Sequence, residues 1–273
     1  MERVLSRDGT VIAFERSGVG PALILVDGAL CSRAFGPMPK LAPLLAREFT
    51  VFMYDRRGRG DSGNTLPYAR AREVEDIDAL IQAAGGSAFV LGLSSGGALA
   101  LEAAASGLAI TKLAVYEPPF VAEGAACAEA DHQAELERRI AAGGRGEAVK
   151  YFMRKMVGVP AIFVVLMRLM PGVWRKLEAV AHTLPYDAAV MGDFSAPTTR
   201  LASIRVPTLA IGGAKTDARL KRAVRVVADA VPRAQHRTLA GQTHNVKPEI
   251  LAPVVAQFFK AKSAGERMPL CGS

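Results

Sequence analysis

The stretch Ala88-Phe89-Val90-Leu91-Gly92-Leu93-Ser94-Ser95-Gly96-Gly97 decides how this chain is read. Residues 88–93 form an apolar run of the kind that makes a strand buried on both faces. Residues 95–105 are mostly small and predict a helix able to pack closely on a sheet. Ser94 therefore falls on a sharp strand-to-helix turn, between Gly92 and Gly96. Glycines two residues either side let strand and helix approach without Cβ clashes, and the turn aims the Ser94 hydroxyl out of the end of the sheet. The N–H of Ser95, at the helix N-terminus, can then donate to an oxyanion. A bare G-x-S-x-G is common by chance, and the strand–turn–helix setting gives it weight. The competing reading is a Gly-rich turn with two solvent-facing serines. A phosphate-cradling loop is a further competitor, but the Lys-Ser/Thr ending of a P-loop is absent.

Outward from this turn, strand and helix signals alternate. Residues 11–16, 22–26 and 50–54 read as strands, with a helix over 37–47 between the last two. Val74, Ile77, Leu80 and Ile81 fall on one face of a further helix, which Gly85-Gly86 ends. Residues 110–116 form another strand, closed by Pro118-Pro119. From 120 to 203 there is no strand signal, only helical segments broken at Gly143-Gly144, Pro160, Pro171-Gly172 and Pro185. Alternation resumes with a strand at 206–211, a helix at 219–231 and a strand at 235–239. The last helix, 248–260, carries Ile250, Leu251, Val254, Val255, Phe258 and Phe259 on one stripe. The pattern predicts an α/β fold, a mostly parallel sheet with helices on both faces. We expect residues 1–118 and 203–262 to form the core, 119–202 a helical lid insertion, and 263–273 a loose tail.

Composition excludes several other classes. Half of the 273 residues are hydrophobic and 22% are charged, enough for a sizeable core. The net charge is +8, yet the 34 Lys and Arg are scattered and aromatics make up only 6%, which argues against nucleic acid as a partner. Cys31, Cys127 and Cys271 are an odd set without metal-like spacing, so no metal is expected and a reducing, cytoplasmic setting is. No apolar leader follows Met1, and the most apolar stretch, 156–167, stops at Arg168, too short to span a bilayer. The expected partner is a small-molecule substrate, with no membrane and with a monomer or homodimer as the working form.

A serine nucleophile needs a base within hydrogen-bond reach. The histidines are His132, His182, His236 and His244. The first two lie in the helical block, where a surface role is the ordinary reading, and His236 is committed to one face of a strand. His244 follows the last strand in Gly241-Gln242-Thr243-His244, a loop at the edge where Ser94 is expected. We read it as the base.

These residues resemble the α/β-hydrolase superfamily over nearly the whole chain. Tyr54-Asp55-Arg56-Arg57-Gly58-Arg59-Gly60-Asp61-Ser62 looks like that family's D-x-R-G-x-G-x-S loop. Gly241 to His244 looks like its G-x-x-H ending, and His244 comes last, as the family's order of serine, acid and histidine requires. Val26-Asp27-Gly28 resembles its His-Gly turn, with Asp27 in place of the histidine. The resemblance implies that the amide of Ala29 joins that of Ser95 as the oxyanion hole, and that neither metal nor organic cofactor is used. It places the acid at one of two strand ends. Asp217 is the carboxylate of the loop read as Gly212-Gly213-Ala214-Lys215-Thr216-Asp217. Glu117, in Val115-Tyr116-Glu117-Pro118-Pro119, matches the placement in haloalkane dehalogenases, which use an Asp nucleophile instead of a serine. We favour Glu117, keep Asp217 open, and hold Asp193 as a lesser candidate.

The resulting expectation is a serine esterase-like enzyme that cleaves an ester, thioester or lactone through an acyl-enzyme. The same residues could serve acyl transfer, perhydrolysis or C–C bond hydrolysis, and a non-catalytic ligand-binding protein is the rival from another class. Apolar residues of the insertion (Val159, Ile162, Phe163, Val164, Leu166, Met167, Leu169 and Met170) suggest a hydrophobic pocket, or merely seat the lid on the core.

Overall fold

A computed structural model gives the fold and describes residues 1–121 and 131–261. Eight strands form one sheet: β1 (Glu2–Leu5), β2 (Val11–Ser17), β3 (Ala22–Val26), β4 (Thr50–Tyr54), β5 (Ala88–Leu93), β6 (Ile110–Tyr116), β7 (Thr208–Gly213) and β8 (Ala234–Leu239). Their order is β1-β2-β4-β3-β5-β6-β7-β8. The pairings β1–β2 and β2–β4 are antiparallel, and all the others are parallel. β1 was not expected from the sequence. It is a short, largely exposed edge strand, and such a strand leaves no buried apolar face to read.

Successive residues of the central strands alternate between two cores. Ile24, Val26, Val90, Leu113 and Val115 face α2 (Arg70–Ala83), α3 (Ser95–Ala105) and α10 (Ala218–Ala230). Leu23, Leu25, Leu91, Leu93, Ala114 and Ile211 face α1 (Met38–Leu45) and α11 (Pro248–Lys260). α11 buries Leu251, Val255 and Phe259 and accommodates Pro253, while Ile250 is largely outside the stripe assigned to it. The ring of Phe259 stacks on Phe89 at 4.8 Å and meets Phe49 edge-on at 6.1 Å.

Between β6 and β7 the described residues form α4 (His132–Ala141), α5 (Arg145–Tyr151), a π-helical turn (Phe152–Val157), α6 (Ala161–Arg168), α7 (Pro171–Val180), a 3₁₀ turn (Ala181–Thr183), α8 (Leu184–Met191) and α9 (Thr198–Leu201). This helical insertion has a core of its own, with Leu136, Phe152, Trp174, Leu177 and Leu184, into which Leu30 reaches from the turn after β3. The expected tail, 263–273, lies outside the described residues, as do Cys127 and Cys271.

One boundary differs instructively. The strand expected at 206–211 is β7, which starts after Pro207, a residue with no N–H for the ladder. Gly212 and Gly213, read as loop, are its last residues and pair with Thr238 and Leu239. A Cβ on Gly213 would lie 2.4 Å from the carbonyl oxygen of Gln242, so a bare backbone lets the two strand ends close up.

The parallel strands bring their C-terminal ends to one edge, the usual location of sites in open α/β sheets. Since β3 and β5 are neighbours, the turn after β3 abuts Ser94. A Cβ on Gly96 would lie 2.3 Å from the carbonyl oxygen of Val26 and 2.5 Å from that of Asp27. Replacing Gly96 with Ala is therefore expected to cost about 1–3 kcal/mol, as overpacked sites do. Gly172→Ala, where a Cβ meets nothing within 4 Å, is expected to cost nothing. Thermal unfolding of the two variants checks the contrast.

Candidate active site

Ser94 adopts φ +54° and ψ −126°, a conformation that a non-glycine residue keeps only when its surroundings enforce it. Its N–H donates to the carbonyl of Tyr116 at 2.9 Å, and its carbonyl accepts from Gly97 at 2.8 Å. The Ser94 Oγ lies 3.1 Å from Nε2 of His244, on the loop after β8. Nδ1 of His244 lies 2.8 Å from Oε2 of Glu117, the residue that follows β6. Glu117 is buried and itself has φ +45°. Its Oε1 accepts from the N–H of Gly213 at 2.7 Å and the hydroxyl of Thr216 at 2.6 Å. Both carboxylate oxygens are thus occupied, and the one facing His244 has little freedom to move. The hydroxyl of Tyr116 donates to the carbonyl of Thr243 and pins the loop just before His244.

Of the carboxylates left open by the sequence, Glu117 is the one at His244. Asp217 stands instead as the N-cap of α10, where its Oδ1 accepts from the N–H of Arg219 at 2.8 Å and of Leu220 at 3.2 Å. Its side chain is 53% exposed. An Asp immediately before a helix start is a cap signal, and that signal was in the sequence. Asp193 accepts from the N–H of Ser195 on an exposed loop. His132 pairs with the Tyr151 hydroxyl at 2.9 Å, and His236 is exposed on β8.

Ala29 and Ser95 line one cavity with Ser94 and His244. Neither backbone N–H has a hydrogen-bond partner among the described residues. Gly28 allows the approach, since a Cβ there would sit 3.2 Å from Ser94 Cβ and from the Leu93 carbonyl oxygen. Just before it, Asp27 is buried, its Oδ1 accepts the Gly28 N–H at 2.9 Å, and its Oδ2 has no partner. Burial pushes this carboxyl up to about 7, outweighing the Gly28 bond and the charges of Arg59 and Arg56.

The sequence reading missed the assembly beneath these turns. Arg56, Arg57 and Arg59 are all buried. Arg56 forks onto Glu73 with two bonds of 2.7 Å and reaches Asp187 of α8 at 2.7 Å. Arg59 reaches the other oxygen of Asp187 at 2.7 Å and the carbonyl of Gly28 at 2.6 Å. The Ser95 hydroxyl donates to Asp187 at 2.9 Å. Burial works to raise the Asp187 carboxyl, but the two guanidinium groups win and hold it below the usual carboxylate range. One carboxylate of the insertion is therefore tied to the turn after β3 and to the turn after β5. The visible hint was a run of arginines near aspartates, since arginines rarely bury without carboxylates to meet them. The partner, 128 residues from Arg59, could not be read.

The cavity around Ser94 holds about 160 Å³ and is lined also by Pro119, Val121, Phe152, Met156, Val157, Met191, Phe194 and Leu220, with Asp217 and Arg219. The apolar residues singled out in the insertion do not line it. Of these, Val164 is buried in the insertion's own core, while Ile162, Phe163, Leu166, Leu169 and Met170 are exposed. Val159 and Met167 pack, partly buried, against that same core, which Leu30 of the turn after β3 also enters, so three of the eight help to seat the insertion and none forms the cavity.

An α/β sheet with a serine–histidine–carboxylate chain at its C-terminal edge defines a hydrolase-type architecture. A model of the alpha/beta hydrolase family matches residues 6–253, and the chain belongs to that family. An alpha/beta hydrolase from Sphaerobacter thermophilus is 52% identical, with 94% of this chain and 100% of that one covered and a TM-score of 0.88. A hydrolase from Pseudomonas aeruginosa is 25% identical over 95% of this chain and 98% of its own, at a TM-score of 0.71. The enol-lactonase of Burkholderia xenovorans, 19% identical over 95% of this chain and 100% of its own, shares the fold at a TM-score of 0.72. No curated protein matches.

Asp27 gives a pH signature with a definite sign. The unfolded carboxyl ionises near 3.9, whereas in the folded chain it holds its proton to about 7. Between these values the unfolded state loses the proton first, so rising pH removes stability, up to about 4 kcal/mol for this group. Asp27→Asn is expected to flatten the decline in stability from pH 4 to 7 and to be more stable than the parent at pH 8. Chemical denaturation across that range measures it.

Proposed function

We propose that the protein is a serine hydrolase acting on a carboxylic ester, thioester or lactone with a small apolar acyl group. The observation that carries this reading is the continuous chain from Ser94 Oγ through His244 to the buried Glu117. In it, His244 Nε2 takes the hydroxyl proton as Ser94 Oγ bonds to the carbonyl carbon. Glu117 holds the Nδ1–H and stabilises the imidazolium that results. The amides of Ala29 and Ser95 receive the oxyanion, a service typically worth a hundred- to a thousand-fold per donor. Collapse of the tetrahedral species expels the alcohol or thiol, which takes the proton from His244. Water then attacks the acyl-enzyme by the same steps in reverse order.

The size of the acyl group follows from the cavity. About 160 Å³ lined mainly by apolar side chains compares with the roughly 150 Å³ apolar cavity that admits benzene. That comparison supports a short-chain or single-ring acyl group.

A fluorophosphonate probe is expected to label the protein, and Ser94→Ala is expected to abolish the labelling. Unlabelled wild-type protein that also leaves a short-chain aryl ester intact would falsify the enzymatic reading and favour a ligand-binding role. Steady-state kinetics on such an ester separates the carboxylates. Glu117→Gln is expected to lower kcat roughly 10³- to 10⁴-fold. Asp217→Asn, which removes only a cap, is expected to stay within a few-fold. The reverse ranking assigns the acid to Asp217.

A further inference from the structure

From Phe152 to Leu177 the chain carries Arg154, Lys155, Arg168, Arg175 and Lys176 and no Asp or Glu. All five cationic residues are exposed. Within the same segment Val157, Ile162, Phe163, Val165, Leu166, Leu169 and Met170 are between 48% and 73% exposed. Single exposed apolar residues are ordinary, but seven gathered on one short helix and its flanks are not. Only Val164 of α6 is buried.

We propose that this face docks on an anionic lipid surface. The apolar side chains of α6 and its flanks sit at the boundary between headgroups and acyl chains, and the cationic rim meets lipid phosphates. Charge selects this occupant. A second copy joined about a two-fold axis would set the patch against itself and bring two cationic rims together. Nucleic acid offers nothing to cover the apolar centre. Of the acids on the elements packed against this segment, Glu147 pairs with Lys150 at 2.6 Å and also feels the charge of Arg168, and Glu178 accepts from the Trp174 indole at 2.8 Å. Among the described residues no helix is long and apolar enough to cross a membrane, so α6 would lie in the interface. Val157 also lines the cavity that holds Ser94, so the docked face adjoins that cavity. The docking itself does not depend on the catalytic reading.

Co-sedimentation of the full chain with vesicles tests the proposal. Binding is expected to vesicles of phosphatidylcholine containing phosphatidylglycerol, to fall with added salt, and to be much weaker to phosphatidylcholine alone. Phe163→Ser with Leu169→Ser is expected to abolish it, and Arg168→Glu or Arg175→Glu to weaken it about fivefold or more each. Those side chains are exposed, so circular dichroism should show all variants folded. The proposal is overturned if the wild type ignores anionic vesicles, binds both kinds equally, or binds unchanged in the variants. It is overturned equally if light scattering finds a dimer that Phe163→Ser with Leu169→Ser dissociates, which assigns the face to a second copy.

Discussion

Two backbone turns pressed together without side chains between them carry the rest of this structure. Gly96 brings the start of α3 against the end of β3, and Gly92 lets β5 run under the same helix, with a Cβ there only 2.5 Å from the Gly96 carbonyl oxygen. Ser94 is held left-handed between them, its N–H fixed by Tyr116 and its carbonyl by Gly97. Any loosening would let the serine relax to an ordinary backbone conformation and swing its hydroxyl away from His244. Interiors are close-packed and do not deform smoothly, so the strain persists.

Electrostatics holds the same turns from below. Asp187, Arg56, Arg59 and Glu73 are buried together, and their charges are satisfied by one another and by the backbone carbonyls of Asp27 and Gly28. Such clusters add little net stability over an apolar core, but removing one member strands the others and costs several kcal/mol. Their value here is geometric. The carboxylate of α8 spans the two turns that carry Ala29 and Ser95, so the insertion and the sheet edge are registered to each other. Asp27 sits at the margin of this cluster, and its burial, which the nearby guanidinium groups do not offset, holds its proton to about 7.

The insertion divides its apolar residues between two environments. Leu136, Phe152, Trp174, Leu177 and Leu184 make a small core that anchors it, whereas α6 turns its side chains outward. Hydropathy points the wrong way here, because α6 is the most apolar helix of the insertion and yet is mostly exposed, while α4 and α7, which supply Leu136, Trp174 and Leu177, carry more polar and charged residues. The difference is set by which face meets a neighbour.

The sequence by itself determined the alternation of strands and helices, the turn at Ser94 and the loop ending in His244. These are local properties: periodicity, small residues and glycines impose them within a few positions. The 3.1 Å contact between Ser94 and His244, the place of Glu117 and the capping role of Asp217 needed the fold, because strand order decides which loops meet. Gly212 and Gly213 look like loop residues, yet the approach of the Gln242 loop makes them the end of β7 and turns the Gly213 amide onto Glu117. Asp187 shows the limit most plainly. Its partners lie more than ninety residues away at Ser95 and farther still at Arg56 and Arg59. A charge is buried only where tertiary packing removes the water, so no local pattern could have marked it.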